Sequence, residues 1–139
     1  MSYNDWTLRD AAAVLLRYLP SVRLQRGVVT VLRPVNGEQD KAQEVAGYIA
    51  PGLGVGVHRV SALTGRQKDR EYSVIHLRSG LKVFGSPTLR HARQALGVLQ
   101  ALGCPWLSSA GDLYDWFGEM ARRIGLPSGR YLAYCITND

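Results

Sequence analysis

The chain reads as an α+β protein: a mostly antiparallel sheet of about four to five strands with about four helices packed on it. Three observations predict this. Apolar residues recur at helical spacing in several segments closed by Pro or Gly. Short β-branched runs alternate with turn residues. The element order comes out as α-β-α-β-β-β-α-α-β, with strands in succession at the centre rather than alternating with helices. At 139 residues the chain is the size of one domain, expected to span 1–139. With 46% hydrophobic and 20% charged residues it has a globular rather than a disordered composition. At this length a core needs no disulfide staples.

The first helix is expected over Leu8–Leu19. Thr7 can cap it and Asp10 completes a capping box. Leu8, Ala12, Leu15 and Leu19 form the stripe, and Pro20 ends it. Val28–Leu32 reads as a buried strand, broken by Pro34, Asn36 and Gly37. Asn36 is then read as the cap of a second helix, Glu38–Ile49, with Ala42, Val45, Ala46 and Ile49 inside. After the glycine-rich bend Pro51–Val57, a strand is expected near Val55–Leu63, and Thr64–Arg70 is a polar loop.

Tyr72–Leu77 and Leu81–Phe84 flank Ser79-Gly80 and read as a hairpin. Ser86 and Pro87 read as the cap and first residue of a third helix reaching about Leu102. Its stripe is Leu89, Ala92, Leu96 and Leu99. Ser109 with Asp112 opens a fourth helix. Leu113, Trp116, Phe117, Met120 and Ile124 lie on its apolar side, and Gly125 is its C′ residue. Arg130–Ile136 is a final strand.

Charge is concentrated in the middle of the chain. Val45–Gly111 holds eight Lys/Arg against two acids, Asp69 and Glu71, a balance of +6. The flanking segments are close to neutral, with six basic and five acidic residues before it and three basic and four acidic after it. A basic face of this kind attracts polyanions, of which nucleic acid is the commonest. The expected function is that of a small basic accessory protein binding nucleic acid, DNA in preference to RNA, through a hairpin-loop-helix face. The expected contacts are Arg66, Lys68 and Arg70 on the loop, Arg78 and Lys82 on the hairpin, and Arg90, Arg93 and Gln94 on the third helix. Arg59 adds charge if it faces the same way. In element order alone, the hairpin and helix resemble the sheet-plus-helix DNA readers of integrase arm-binding and plant AP2-type domains. No motif matches, and no residue role is carried over.

The alternative is a non-catalytic protein-binding modulator or inhibitor of a larger machine, of the kind a phage or mobile element encodes. Trp6 and Trp106 would be its aromatic anchors.

Other constellations have plainer readings. Gly52, Gly54 and Gly56 precede a strand rather than a helix, so they do not form a phosphate loop. His58, His76 and His91 lack metal-ligand spacing and read as sheet-rim polar residues or phosphate contacts. Asp112, Asp115 and Glu119 suit a solvated helix start better than a metal site. Cys104 and Cys135 read as small apolar residues of a reduced compartment. Ser73, Ser79 and Ser86 lack a nucleophile-elbow context. No catalytic motif is found, so a non-enzyme without metal or cofactor is expected. The N-terminus lacks a signal-peptide pattern. The longest apolar run, Ala11–Leu16, is far short of the roughly 20 residues of a membrane span. No membrane partner and a cytoplasmic location are therefore expected.

Overall fold

A computed structural model describes residues 22–33, 41–127 and 129. The sheet has five strands in the order β1-β2-β3-β4-β5, every neighbouring pair antiparallel. They are β1 (Gln25–Arg33), β2 (Lys41–Ala50), β3 (Val55–Arg59), β4 (Tyr72–His76) and β5 (Leu81–Ser86). The described residues add three helices: α1 (Val60–Thr64) between β3 and β4, then α2 (Leu89–Ala101) and α3 (Ala110–Arg123) after β5. This is the expected α+β class, with an antiparallel sheet. The expected first helix and the final strand lie outside the described residues.

Period-two alternation sorts the side chains onto two faces. Val55, Val57, Val74 and Phe84 meet Ala92, Ala95, Leu96 and Leu99 of α2 and Leu113, Phe117 and Ala121 of α3 in the main core. Val29, Val31, Val45 and Ile75 form a smaller cluster on the other face, joined by Ile49, Leu63 and Leu77. The sheet coils around that second cluster. The Leu32 N–H donates to the Gly80 carbonyl at 2.8 Å, so β1 comes back to the β4–β5 turn. Such coiling demands a close approach. A Cβ at Gly56 would lie 3.2 Å from both methyls of Val29 and 2.9 Å from Leu77, so a larger residue there would push both side chains back from β3.

The largest correction concerns the expected helix Glu38–Ile49, which is strand β2. It pairs with β1 from Arg33↔Lys41 to Gln25↔Ile49, the whole length of β1. Lys-Ala-Gln-Glu-Val-Ala favours a helix locally, but β1 offers a complete row of backbone donors and acceptors, and pairing satisfies both strands. Val45 and Ile49 then face inward by alternation, while Ala42 and Ala46 are exposed. The strand at Val28–Leu32 is present within β1. It is half-buried rather than buried: Val29 and Val31 face the inner cluster, whereas Val28 is 60% exposed.

Smaller differences follow the same logic. The strand expected at Val55–Leu63 stops at Arg59, and one helical turn follows. The Gly65 N–H closes it on the Ser61 carbonyl at 2.8 Å, and Leu63 is placed on the inner cluster. Ser86 ends β5, and Thr88 caps α2 by accepting from the His91 N–H at 3.0 Å. The expected hairpin is present, with a register shift between Val74 and Ile75. Ser109 caps α3 as expected, accepting from the Asp112 N–H at 3.2 Å. Gly125 follows α3 with φ +77, and the Leu126 N–H reaches back to the Ala121 carbonyl at 2.8 Å. Ile124 is exposed rather than part of the apolar side. No described helix is long and apolar enough to cross a membrane.

Candidate functional site

The register Arg59↔Tyr72↔Ser86 sets the end of β3, the start of β4 and the end of β5 side by side. The loop Gly65–Glu71 belongs to this end, because the Val60 N–H donates to the Glu71 carbonyl at 2.8 Å. The corner Pro87–Arg90 leads from Ser86 into α2 at the same end. Arg59, Arg66, Lys68, Arg70 and Arg90 are thereby grouped, and all are exposed. Two acids accompany them. Asp69 is committed, accepting from Arg66 Nε at 3.0 Å and from Thr64 Oγ1 at 2.8 Å. Glu71 is exposed. The first turn of α2, whose N–H groups carry the positive end of the helix dipole, holds no acid.

The remaining expected contacts lie elsewhere. Arg78 sits in the β4–β5 turn, at the opposite end of β4, where its Nη1 donates to the Leu107 carbonyl at 3.0 Å. Arg93 is half-buried on α2, and its Nε donates to the Val22 carbonyl at 3.0 Å. The Val22 N–H answers to the Arg93 carbonyl at 3.2 Å, so Arg93 fastens the approach to β1. Gln94 is half-buried on the same helix. Lys82 pairs with Ile75, which places it on the inner face of the sheet. Of the two aromatic anchors, Trp106 is only 1% exposed and belongs to the main core, so it presents no ring at the surface. Trp6 lies outside the described residues.

Several plainer readings now have a physical account. Gly54 has φ +88, and a Cβ there would come within 3.0 Å of the Trp106 carbonyl oxygen, so the bend packs against the α2–α3 connection. The N–H groups of Leu53 and Gly54 both go to the Ala50 carbonyl, which leaves them unavailable to a phosphate. Glu119 is bound by Arg122 and Arg123, and the Arg122 guanidinium holds its carboxyl below the ordinary range. Burial pushes the Cys104 thiol up to about 12, so it stays protonated and poorly nucleophilic at neutral pH. Among the described residues no group of three His, Cys, Asp or Glu side chains could hold a metal ion.

The histidines are not gathered. His76 pairs with Val55 and faces the helices, whereas His58 pairs with Ser73 and faces the inner side. His91 lies on α2, and its Nδ1 lies 2.6 Å from the Thr88 hydroxyl oxygen. His76 is fully partnered. Its Nε2 donates to the Ser108 carbonyl at 2.9 Å, and its Nδ1 lies 2.7 Å from Ser79 Oγ. Because a carbonyl can only accept, Nε2 carries a proton, and in the neutral ring Nδ1 accepts from Ser79.

His58 is equally buried but makes a single side-chain hydrogen bond, from Nδ1 to the Arg59 carbonyl at 2.8 Å. Desolvation lowers its pKa, opposed by that carbonyl and assisted by the charge of Lys82. Nothing in the sequence links His58 to Ser73. Their pairing across the ladder is a product of register. No protein-family model, curated protein or solved structure matches this chain.

Proposed function

We propose that the protein binds nucleic acid, DNA in preference to RNA, through the end of the sheet formed by Arg59, the Gly65–Glu71 loop and the start of α2. The observation carrying this reading is the grouping of five exposed cations, Arg59, Arg66, Lys68, Arg70 and Arg90, beside an acid-free helix start. Two acids offset part of this charge, Asp69, which is paired with Arg66, and Glu71. Flexible cations at a loop and a helix corner suit phosphate contacts, which position a duplex without reading its sequence.

The test is fluorescence anisotropy with labelled duplex DNA, single-stranded DNA and RNA over a range of salt. Affinity should fall steeply with salt, with a slope set by the number of phosphates contacted. Arg70→Glu with Arg90→Glu should weaken binding, each by about 1 kcal/mol or more. Arg93 is a poor choice for this test, because its removal would free the Val22 strap. Absence of binding at low salt would overturn the reading and direct the search to acidic protein surfaces.

A further inference from the structure

We propose that a phosphate-sized oxyanion seats on the inner face of the sheet above Gly85, held by Ser73 Oγ, Lys82 Nζ and a protonated His58 Nε2. The proposal rests on the nucleic-acid reading for the source of the phosphate. The site itself is defined by the residues.

His58↔Ser73 and Ser73↔Gly85 are directly paired, so the three residues form one row across β3, β4 and β5 on the same face. Neighbours in such a row stand about 5 Å apart. Lys82 precedes Gly85 on β5, and its ammonium folds over it: a Cβ built at Gly85 would lie 3.6 Å from Nζ. The missing side chain at Gly85 leaves the row open there. A hollow of about 200 Å³ adjoins it, lined by Glu71, Gly85, Ser86 and Pro87.

The polar groups of the row are uncommitted. His58 is 1% exposed and Ser73 4%. Nδ1 of His58 donates to the Arg59 carbonyl, so in the neutral ring Nε2 carries a lone pair and no proton. Among the described residues, Nε2, Ser73 Oγ and Lys82 Nζ have no hydrogen-bond partner. Neither Nε2 nor Ser73 Oγ is among the fully buried unpartnered atoms, so each keeps a solvent contact that an anion beside the Lys82 ammonium can replace.

An oxyanion fits all three. It accepts from Lys82 and from the Ser73 hydroxyl, and it accepts from Nε2 once that nitrogen takes up a proton from water. The groups facing the ring are the Arg59 carbonyl on β3, Gly47 on β2, Ser73 on β4 and Lys82 on β5. Lys82 is the one charge among them, and an anion seated on it reverses its influence on the ring. Binding is therefore coupled to proton uptake and strengthens as pH falls, by at most about tenfold per pH unit. Glu71 at the rim opposes the anion.

The test follows the His58 ring protons by NMR from about pH 5 to about pH 8. The probes are inorganic phosphate, sulfate (which keeps its charge over this range) and a short 5′-phosphorylated DNA strand. Both ions should raise the apparent His58 pKa and move the Ser73 and Gly85 amide signals. Ser73→Ala with Lys82→Gln should abolish both effects, and Glu71→Gln should tighten binding. A His58 titration unmoved by phosphate and sulfate overturns the site. If duplex DNA still binds in an Arg70- and Arg90-dependent way in that case, the nucleic-acid reading survives alone. A shifted His58 without duplex binding supports an anion site and removes the nucleic-acid reading.

Discussion

The two ends of the sheet use the same residue types to opposite purposes. At the turn end, His76 and Arg78 both reach the α2–α3 connection, through the carbonyls of Ser108 and Leu107. Trp106 lies buried beside them against Gly54. His76 and Arg78 close bonds within the fold there, while the Trp106 indole N–H is buried without a partner. At the other end, His58 has one ring nitrogen free, and Arg90, like the Lys82 ammonium that reaches over Gly85 from the turn side, makes no hydrogen bond or ion pair among the described residues. Residue type and burial are matched in the two histidines, yet one is a fastener and the other an open position. Between these two histidines it is hydrogen-bond partnership, not burial, that differs.

The comparison can be broken most severely at the turn end. Trp106→Ala should remove about 3–5 kcal/mol of stability, as truncation of a buried aromatic does. Urea unfolding measures it, and a near-neutral result would show that the connection is not part of the core. At the open end the largest effect is on binding. Arg70→Glu with Arg90→Glu should cost about 2 kcal/mol or more of duplex affinity while stability changes by no more than about 0.5 kcal/mol. Arg78→Glu serves as the contrast, since it should spare affinity; equal losses from the two ends would erase the distinction.

Between these lies His76→Ala, expected to cost about 1–3 kcal/mol by leaving the Ser108 carbonyl without its donor. Chemical denaturation of His76→Ala beside His58→Gln sharpens the comparison, because the second change should cost less. The smallest effect is the pH dependence of stability. His58 is held below its ordinary value of 6.5, so protons favour the unfolded chain. Its contribution is fully present above the unfolded-state pKa and is lost as pH falls through that value toward the folded one. The urea midpoint should decline over that window, and His58→Gln should flatten the decline.

Legibility in the sequence varied with how local the deciding interactions are. The β4–β5 hairpin, the α2 stripe and the Ser109 and Gly125 boundaries of α3 were readable, since each depends on neighbours within a few residues. Strand β2 was not, because its helix-forming residues are overruled by pairing with β1. A signal existed in Asn36-Gly37, midway between the two paired segments. That dipeptide is a strong hairpin marker as well as a possible helix cap.

The charge concentration of the middle segment was visible at once, but its division was not. Arg66, Lys68, Arg70 and Arg90 share one basic segment with Arg78 and Arg93, and sequence order does not show which end of a strand each residue occupies. Arg93 binds the carbonyl of Val22, 71 positions away, a contact no local pattern announces.

The sequence by itself determined an α+β protein with an antiparallel hairpin, two capped amphipathic helices and a basic middle. These follow from periodicity, turn chemistry and composition, which are short-range or additive. Tertiary structure alone decided that β2 is a strand, that Trp106 is core, that Arg78 and Arg93 are fasteners, and that His58 meets Ser73. The physical reason is that a hydrogen-bond partner is set by strand register and by packing between distant segments, and neither is carried in the order of nearby residues.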